Sequence, residues 1–184
     1  YTRQAGEIIL QGATPYQVDN AILGFGMPMG PFQMNDLVGL DLGWRARKLG
    51  GMKPEDVPIT ARVADKLCEM DRYGQKTSRG YYIYPAGSRA GQADPEVVQI
   101  VEETSAELGI ERRPIEDEEV LKRCLYPLIN EGARILEDGI AIRPCDIDIV
   151  YINGYGFPEV TGGPMFWADQ IGLCLLYTSP SPRD

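Results

Sequence analysis

A mainly α-helical protein built from two copies of one helical unit is what the sequence predicts, and three observations carry that expectation. Apolar residues recur at helical spacing, most clearly at Ile59, Val63, Leu67 and Met70, which share one helix face. Prolines stand where helices open, at Pro15, Pro31, Pro95 and Pro144, and glycines where they close, at Gly12, Gly109 and Gly139. One ordered series of motifs also occurs twice.

Taken in order, residues 1–10 read as the end of a helix stopped by Gly12. Thr14 can accept from the Gln17 amide, Pro15 suits the first helical position, and Val18, Ile22 and Phe25 give the next helix one apolar face. Three glycines and two prolines within residues 24–32 then force a shaped loop. Pro31 opens a helix with Phe32, Leu37, Leu40 and Trp44 among its apolar positions, and the nearly unbroken apolar run to Leu42 predicts a largely buried element. The helix beginning at Ile59 is expected to stop near Gly74, followed by an ordered turn over 72–80 and an extended aromatic piece over 81–84. Residues 86–93 have linker composition. Asp94 and Pro95 start a helix carrying Val97, Ile100, Val101 and Leu108. Four acids at 116–119 suit the N-terminus of the next helix, which Pro127 should kink before Gly139 ends it.

The repeat runs through these elements. Residues 7–12 resemble 134–139, and seven residues after each closing glycine stands an aspartate, Asp19 and Asp146. Gly26-Met27-Pro28 answers Gly156-Phe157-Pro158, and the stretch from Gly30 through Asp36 to Leu40 answers that from Gly163 through Asp169 to Leu173. The repeat spacing grows from 127 to 133 residues because the second loop is longer. Two copies of one helical unit can pack face to face as a pseudo-dimer within a single chain.

Composition narrows the function. Net charge is −9 over 184 residues, which excludes a whole-domain basic footprint for nucleic acid and gives no general attraction to phosphates. No stretch approaches the ~20 apolar residues of a membrane helix. The chain has no histidine, so the commonest general base is missing and a metal site lacks its usual ligand. Cys68, Cys124, Cys145 and Cys174 form no CxxC pair and read as reduced, mostly buried thiols. Opening on Tyr1 without a signal peptide is read as truncation at the N-terminus, and the second copy is read as cut at its C-terminus.

Val18-Asp19, the loop 25–32, residues 36–41 and the closing segment 72–84 together resemble the C-terminal domain of 3-hydroxyacyl-CoA dehydrogenases, with Ser78 where that family usually has glycine. Residues 130–134, 154–158 and 163–166 resemble the second copy found in multifunctional β-oxidation enzymes. The implied fold is two tandem helical repeats of that type, akin to the 6-phosphogluconate dehydrogenase C-terminal domain. The implied division is 1–85 for the first repeat, 86–110 for a linker and connecting helix, 111–173 for the second repeat, and 174–184 as a tail. That tail resembles the translation of a sequencing-library adapter more than natural protein.

The resemblance implies NAD-dependent oxidation of L-3-hydroxyacyl-CoA, with the catalytic histidine, its glutamate and the NAD site on a preceding Rossmann domain. No residue here is expected to be catalytic, to bind the cofactor or to hold a metal. The resemblance also implies an enoyl-CoA hydratase domain, a thiolase subunit as possible partner, and a bacterial cytoplasmic or else peroxisomal setting. Gly24-Phe25-Gly26 lacks the glycine pattern and the preceding strand of a dinucleotide loop. The candidate wall of the acyl and pantetheine cleft is Phe25, Met27, Pro28, Met29, Gly30, Pro31 and Phe32, where methionines suit variable acyl chains; the bland alternative is a packing loop. Asp19, Asp36, Asp146 and Asp169 are read as caps or loop anchors, because two copies of one catalytic acid are improbable. Lys76 and Arg79 are read as a solvated turn rather than a phosphate site, and Tyr81, Tyr82 and Tyr84 as packing residues. Two rival functions are a non-enzymatic helical interaction module and a related dehydrogenase acting on another hydroxy acid.

Overall fold

The computed structural model describes residues 1–172, so the expectation about residues 174–184 lies outside the described part. Helices α1 (Thr2–Gln11) and α2 (Pro15–Phe25) meet at a corner set by Gly12 and Thr14. The Thr14 hydroxyl accepts from the Gln17 amide at 3.1 Å, as its position before Pro15 predicts. Ile8, Ile9 and Leu10 of α1 and Val18 and Ile22 of α2 are buried in one core with Val63 and Leu67.

The long buried helix expected after Pro31 is instead two short ones. Helix α3 (Pro31–Val38) stops at Gly39, and α4 (Asp41–Leu49) starts afresh after it. Gly39 takes a positive φ of 103°, which a β-carbon would oppose, so the helix ends there. The apolar run is correspondingly not buried: Leu37, Val38 and Leu42 are 55%, 64% and 68% exposed. Helix α5 (Ile59–Glu69) buries Val63 and Leu67 but leaves Ile59 and the capping Met70 partly exposed, at 43% and 38%, and it is closed by Met70 rather than near Gly74.

The segment 72–84 forms the predicted turn and then β1 (Tyr82–Ile83). Residues 86–93 are not a plain linker, because β2 (Gln92–Ala93) pairs antiparallel with β1, Tyr82 opposite Ala93. Ser78 sits at φ 60°, the left-handed conformation in which glycine is the easier residue. Arg72 is fully buried and holds this segment to the next helix: its guanidinium donates to the Gly80 carbonyl at 2.9–3.0 Å and to Asp94 and Glu96 at 2.6 Å. Asp94 in turn caps α6 (Pro95–Glu107) by accepting from the Glu96 amide at 3.0 Å.

Helix α7 (Asp117–Glu137) runs on through Pro127, and its first turn carries Asp117, Glu118 and Glu119 as the charge pattern predicts. It packs against α1 and α2 of the first copy and against α8 (Pro144–Tyr155) and α9 (Pro164–Ile171) of the second. Among the described residues the second copy has only a small core of its own, Tyr126, Ile129 and Ala168 with Trp167 and Ile171 beside them. Cys68 and Cys124 are buried, and burial pushes both thiols up to about 12; Cys145 is exposed. Among the described residues no helix is long and apolar enough to cross a membrane.

Candidate functional site

Two carboxylates organise the first copy. Asp19 lies on α2 and accepts from the Phe32 and Gln33 amides at 2.9 Å and from the Tyr82 hydroxyl at 2.7 Å. It thereby anchors the start of α3, and Gly30 is needed because a β-carbon there would run into the Asp19 side chain. Asp36 does the same for the closing segment, accepting from the Tyr81 and Tyr82 amides and the Tyr84 hydroxyl, all at 2.9 Å. Burial pushes both carboxyls up to about 6, although three hydrogen bonds on each pull the other way. A value near 6 invites an acid–base reading. The geometry opposes it: both groups are buried, and every donor they meet is structural.

The tyrosines expected only to pack therefore also donate to these carboxylates. Tyr16 joins the cluster, its hydroxyl accepting from the Asp94 amide at 2.7 Å and lying 2.8 Å from the Asp94 carbonyl.

In the second copy the anchoring aspartate is not Asp146. Asp148 accepts from the Met165 amide at 2.6 Å, and Gly163 faces it as Gly30 faces Asp19. Asp146 closes a capping box with Arg143 at the start of α8. The pairing of Asp19 with Asp146 is thus corrected to Asp148. Two extra residues between Gly139 and Pro144 shift the count, whereas counting from the proline finds it, since Asp19 and Asp148 each stand four residues after one. Asp169 is exposed, unlike its counterpart Asp36, which is buried.

The loop 25–32 lies at the joint between the copies. The Phe25 ring packs on Phe157 at 5.5 Å and on Trp167 at 5.1 Å between centroids. A β-carbon at Gly26 would come within 2.9 Å of Pro158, and one at Gly156 within 2.6 Å of Pro28. This reciprocal contact is what a two-fold relation between the copies produces. Met27 and Phe32 are buried in the core, Gly30 and Pro31 are buried, Met29 is half-buried, and Pro28 is exposed. Of the cleft candidates, then, only Pro28 and Met29 offer side-chain surface beyond the ring of Phe25.

A concave site that sequence reading missed lies elsewhere in the first copy, on residues outside the 25–32 loop. A cavity of about 390 Å³ opens between the start of α1, the α3–α4 turn and α5, lined by Thr2, Asn35, Val38, Leu40, Leu42 and Ala64 among others. The exposed Val38 and Leu42 give its rim an apolar part. The cation nearest the turn, Lys76, is engaged by Asp41, and Arg47 by Asp65. The helix break at Gly39 creates this site, and the apolar run gave no hint of it.

The only strands among the described residues are the two short members of one hairpin, with no glycine-rich turn from strand into helix. Among the described residues no group of three or more histidine, cysteine or acidic side chains could hold a metal ion.

Comparison with known proteins agrees with the architecture. The family model for the 3-hydroxyacyl-CoA dehydrogenase C-terminal domain matches residues 1–84 and again 120–180. The chain is 44% identical over 185 residues to the peroxisomal bifunctional enzyme of Danio rerio, covering 94% of this chain and 26% of that protein. It is 34% identical to the peroxisomal fatty acid beta-oxidation multifunctional protein MFP2 of Arabidopsis thaliana, covering 97% of this chain and 25% of that one. The chain therefore spans about a quarter of the length of these relatives. Among solved structures, the dehydrogenase part of multifunctional enzyme 1 from C. elegans superposes with a TM-score of 0.65 at 33% identity, over 84% of this chain and 34% of that one. The 3-hydroxybutyryl-CoA dehydrogenase of Escherichia coli shares the fold, with a TM-score of 0.64 at 20% identity over 96% of this chain and 52% of that one. The helical repeat, its anchoring aspartates and these matches lead to one conclusion: the chain belongs to the 3-hydroxyacyl-CoA dehydrogenase C-terminal domain family.

Proposed function

We propose that this chain is the substrate-holding part of an NAD-dependent L-3-hydroxyacyl-CoA dehydrogenase within a multifunctional β-oxidation enzyme. The observation that carries the reading is the cavity with a partly apolar rim beside the start of α1, in a chain of this family. Val38 and Leu42 would cover an acyl chain, and the first helix would lead directly from a preceding NAD-binding domain to the cavity. NAD would be held by that preceding domain and supply hydride acceptance there. The residues of this chain bind, orient and exclude water; with no histidine, none is offered as the base.

The proposed boundaries are near residues 85 and 111, with the second copy bracing the first. The names of the relatives favour a peroxisomal setting over the bacterial cytoplasm and more than one activity on the same polypeptide, and the resemblance makes an enoyl-CoA hydratase domain the proposed second one. A thiolase subunit remains a further proposed partner, resting on the resemblance alone. The loop 25–32 is proposed as a secondary wall, to which exposed Pro28 and half-buried Met29 would contribute.

Joining the chain to the preceding part of the Danio rerio relative tests this. The fusion is expected to reduce NAD with a 3-hydroxyacyl-CoA, read as NADH absorbance, while the 184-residue chain alone does not. Leu42→Asp in the fusion should raise KM for long acyl chains by about ten-fold, the loss of roughly 1.4 kcal/mol of apolar contact. A folded but inactive fusion, or NADH formed by the chain alone, would sink the reading.

A further inference from the structure

The corner between α1 and α2 and its counterpart between α7 and α8 are built alike but finished differently. In the first copy, residues 110–117 lie across the corner as a strap. The Arg113 amide donates to the Gln11 carbonyl at 2.9 Å, and the Arg112 guanidinium donates to the Ile9 carbonyl at 2.6 Å. Gln17 Nε2 donates to the Ile115 carbonyl at 2.7 Å and to Asp117 at 2.9 Å. Helix α7 then runs along α2, and Val18, Ala21 and Ile22 are buried.

In the second copy the matching positions line an open apolar groove of about 540 Å³, formed by Ile135, Ile140, Ile142, Ile147, Val150 and Tyr151 among others. Ala21 is 7% exposed and its counterpart Val150 is 56% exposed. A β-carbon at Gly12 would strike the Arg113 backbone, whereas one at Gly139 would meet nothing within 4 Å. Asp146, the one charged residue of the groove, is already held by Arg143.

We infer that this groove seats a strap and amphipathic helix that lead into α1 in the longer protein, the counterpart of residues 110–127. The first half of α7 carries Val120 and Cys124, which are buried in one core with Val18 and Ile22 of α2. Exchanging the copies places a helix running into α1 onto α8 of the second. The reciprocal Gly26–Pro158 and Gly156–Pro28 contacts show that this exchange holds where both halves are present. The relatives supply the chain length, being about four times longer than this segment. The occupant's chemistry follows from the first copy: an apolar stripe against Val150 and Tyr151, preceded by a donor to the last carbonyls of α7. The inference rests on the two-copy architecture and not on the redox reading.

The test places a cysteine in the groove, Val150→Cys, with the exposed Cys145 changed to Ser and Cys174→Ser added so that no thiol of residues 173–184 takes up label; Cys68 and Cys124 are buried. Iodoacetamide labelling is compared between the 184-residue chain and the same chain extended by the eighteen residues that precede the matching position in the Danio rerio relative. Labelling is expected to slow by about ten-fold or more on extension. Equal rates would overturn the inference. Slowing in the unextended chain that grows with protein concentration would place a second copy in the groove and overturn it as well. So would slowing in the unextended chain that disappears when residues 173–184 are removed, which would assign the groove to the chain's own end.

Discussion

A buried carboxylate is costly unless donors surround it, and Asp19 and Asp36 each have three. Burial still raises both above the ordinary 3.8 to about 6, so the folded chain binds more protons than the unfolded one between those values. Stability contributed by these groups must therefore fall as pH rises from about 4 to about 6 and level off above. In Asp36→Asn one of the two groups is gone, so the urea midpoint should fall less across that range than in the parent. The same variant replaces one of the two acceptor oxygens by an NH2 group that faces the Tyr81 amide, or the Tyr82 amide and Tyr84 hydroxyl, and should cost about 2 kcal/mol at pH 7. A midpoint that rises with pH through this window in the parent would contradict the assignment. At this scale the sequence was partly legible: it marked the aspartates as anchors, but not the tyrosine hydroxyls that complete them. Aromatic residues in an extended run look like packing until the fold brings Tyr82 to Asp19, 63 positions away.

Helix ends were the most readable elements, because a cap is a local event. Thr14, Asp94, Pro31 and Pro144 all stand where their chemistry requires. Thr14→Ala should cost about 1 kcal/mol in chemical denaturation, the usual effect of losing a side-chain cap. Arg143→Ala, at the exposed start of α8, should cost less than half as much, because its ion pair with Asp146 is open to solvent. Less readable was the break at Gly39. Its apolar neighbours suggested burial, but whether Leu37, Val38 and Leu42 are covered depends on elements far away in sequence. The pairing of β2 with β1 was likewise hidden, since two residues carry no periodicity.

At the scale of the whole molecule, the duplicated architecture was legible from the ordered motifs, while its asymmetry was not. Most of the buried apolar residues belong to the first copy, and the second leans on it through α7, Phe157 and Trp167. A chain of residues 111–172 alone should therefore show little cooperative helix by circular dichroism, because its own core is too small to offset the entropy of ordering it. A sharp thermal transition in that piece would show that the second copy is self-sufficient. The Gly26–Pro158 and Gly156–Pro28 joint has one more consequence. In two separate subunits such a contact would come apart on dilution. Here both faces lie on one polypeptide, so the local concentration of each is fixed by the connecting chain, and the joint is indifferent to how scarce the protein is.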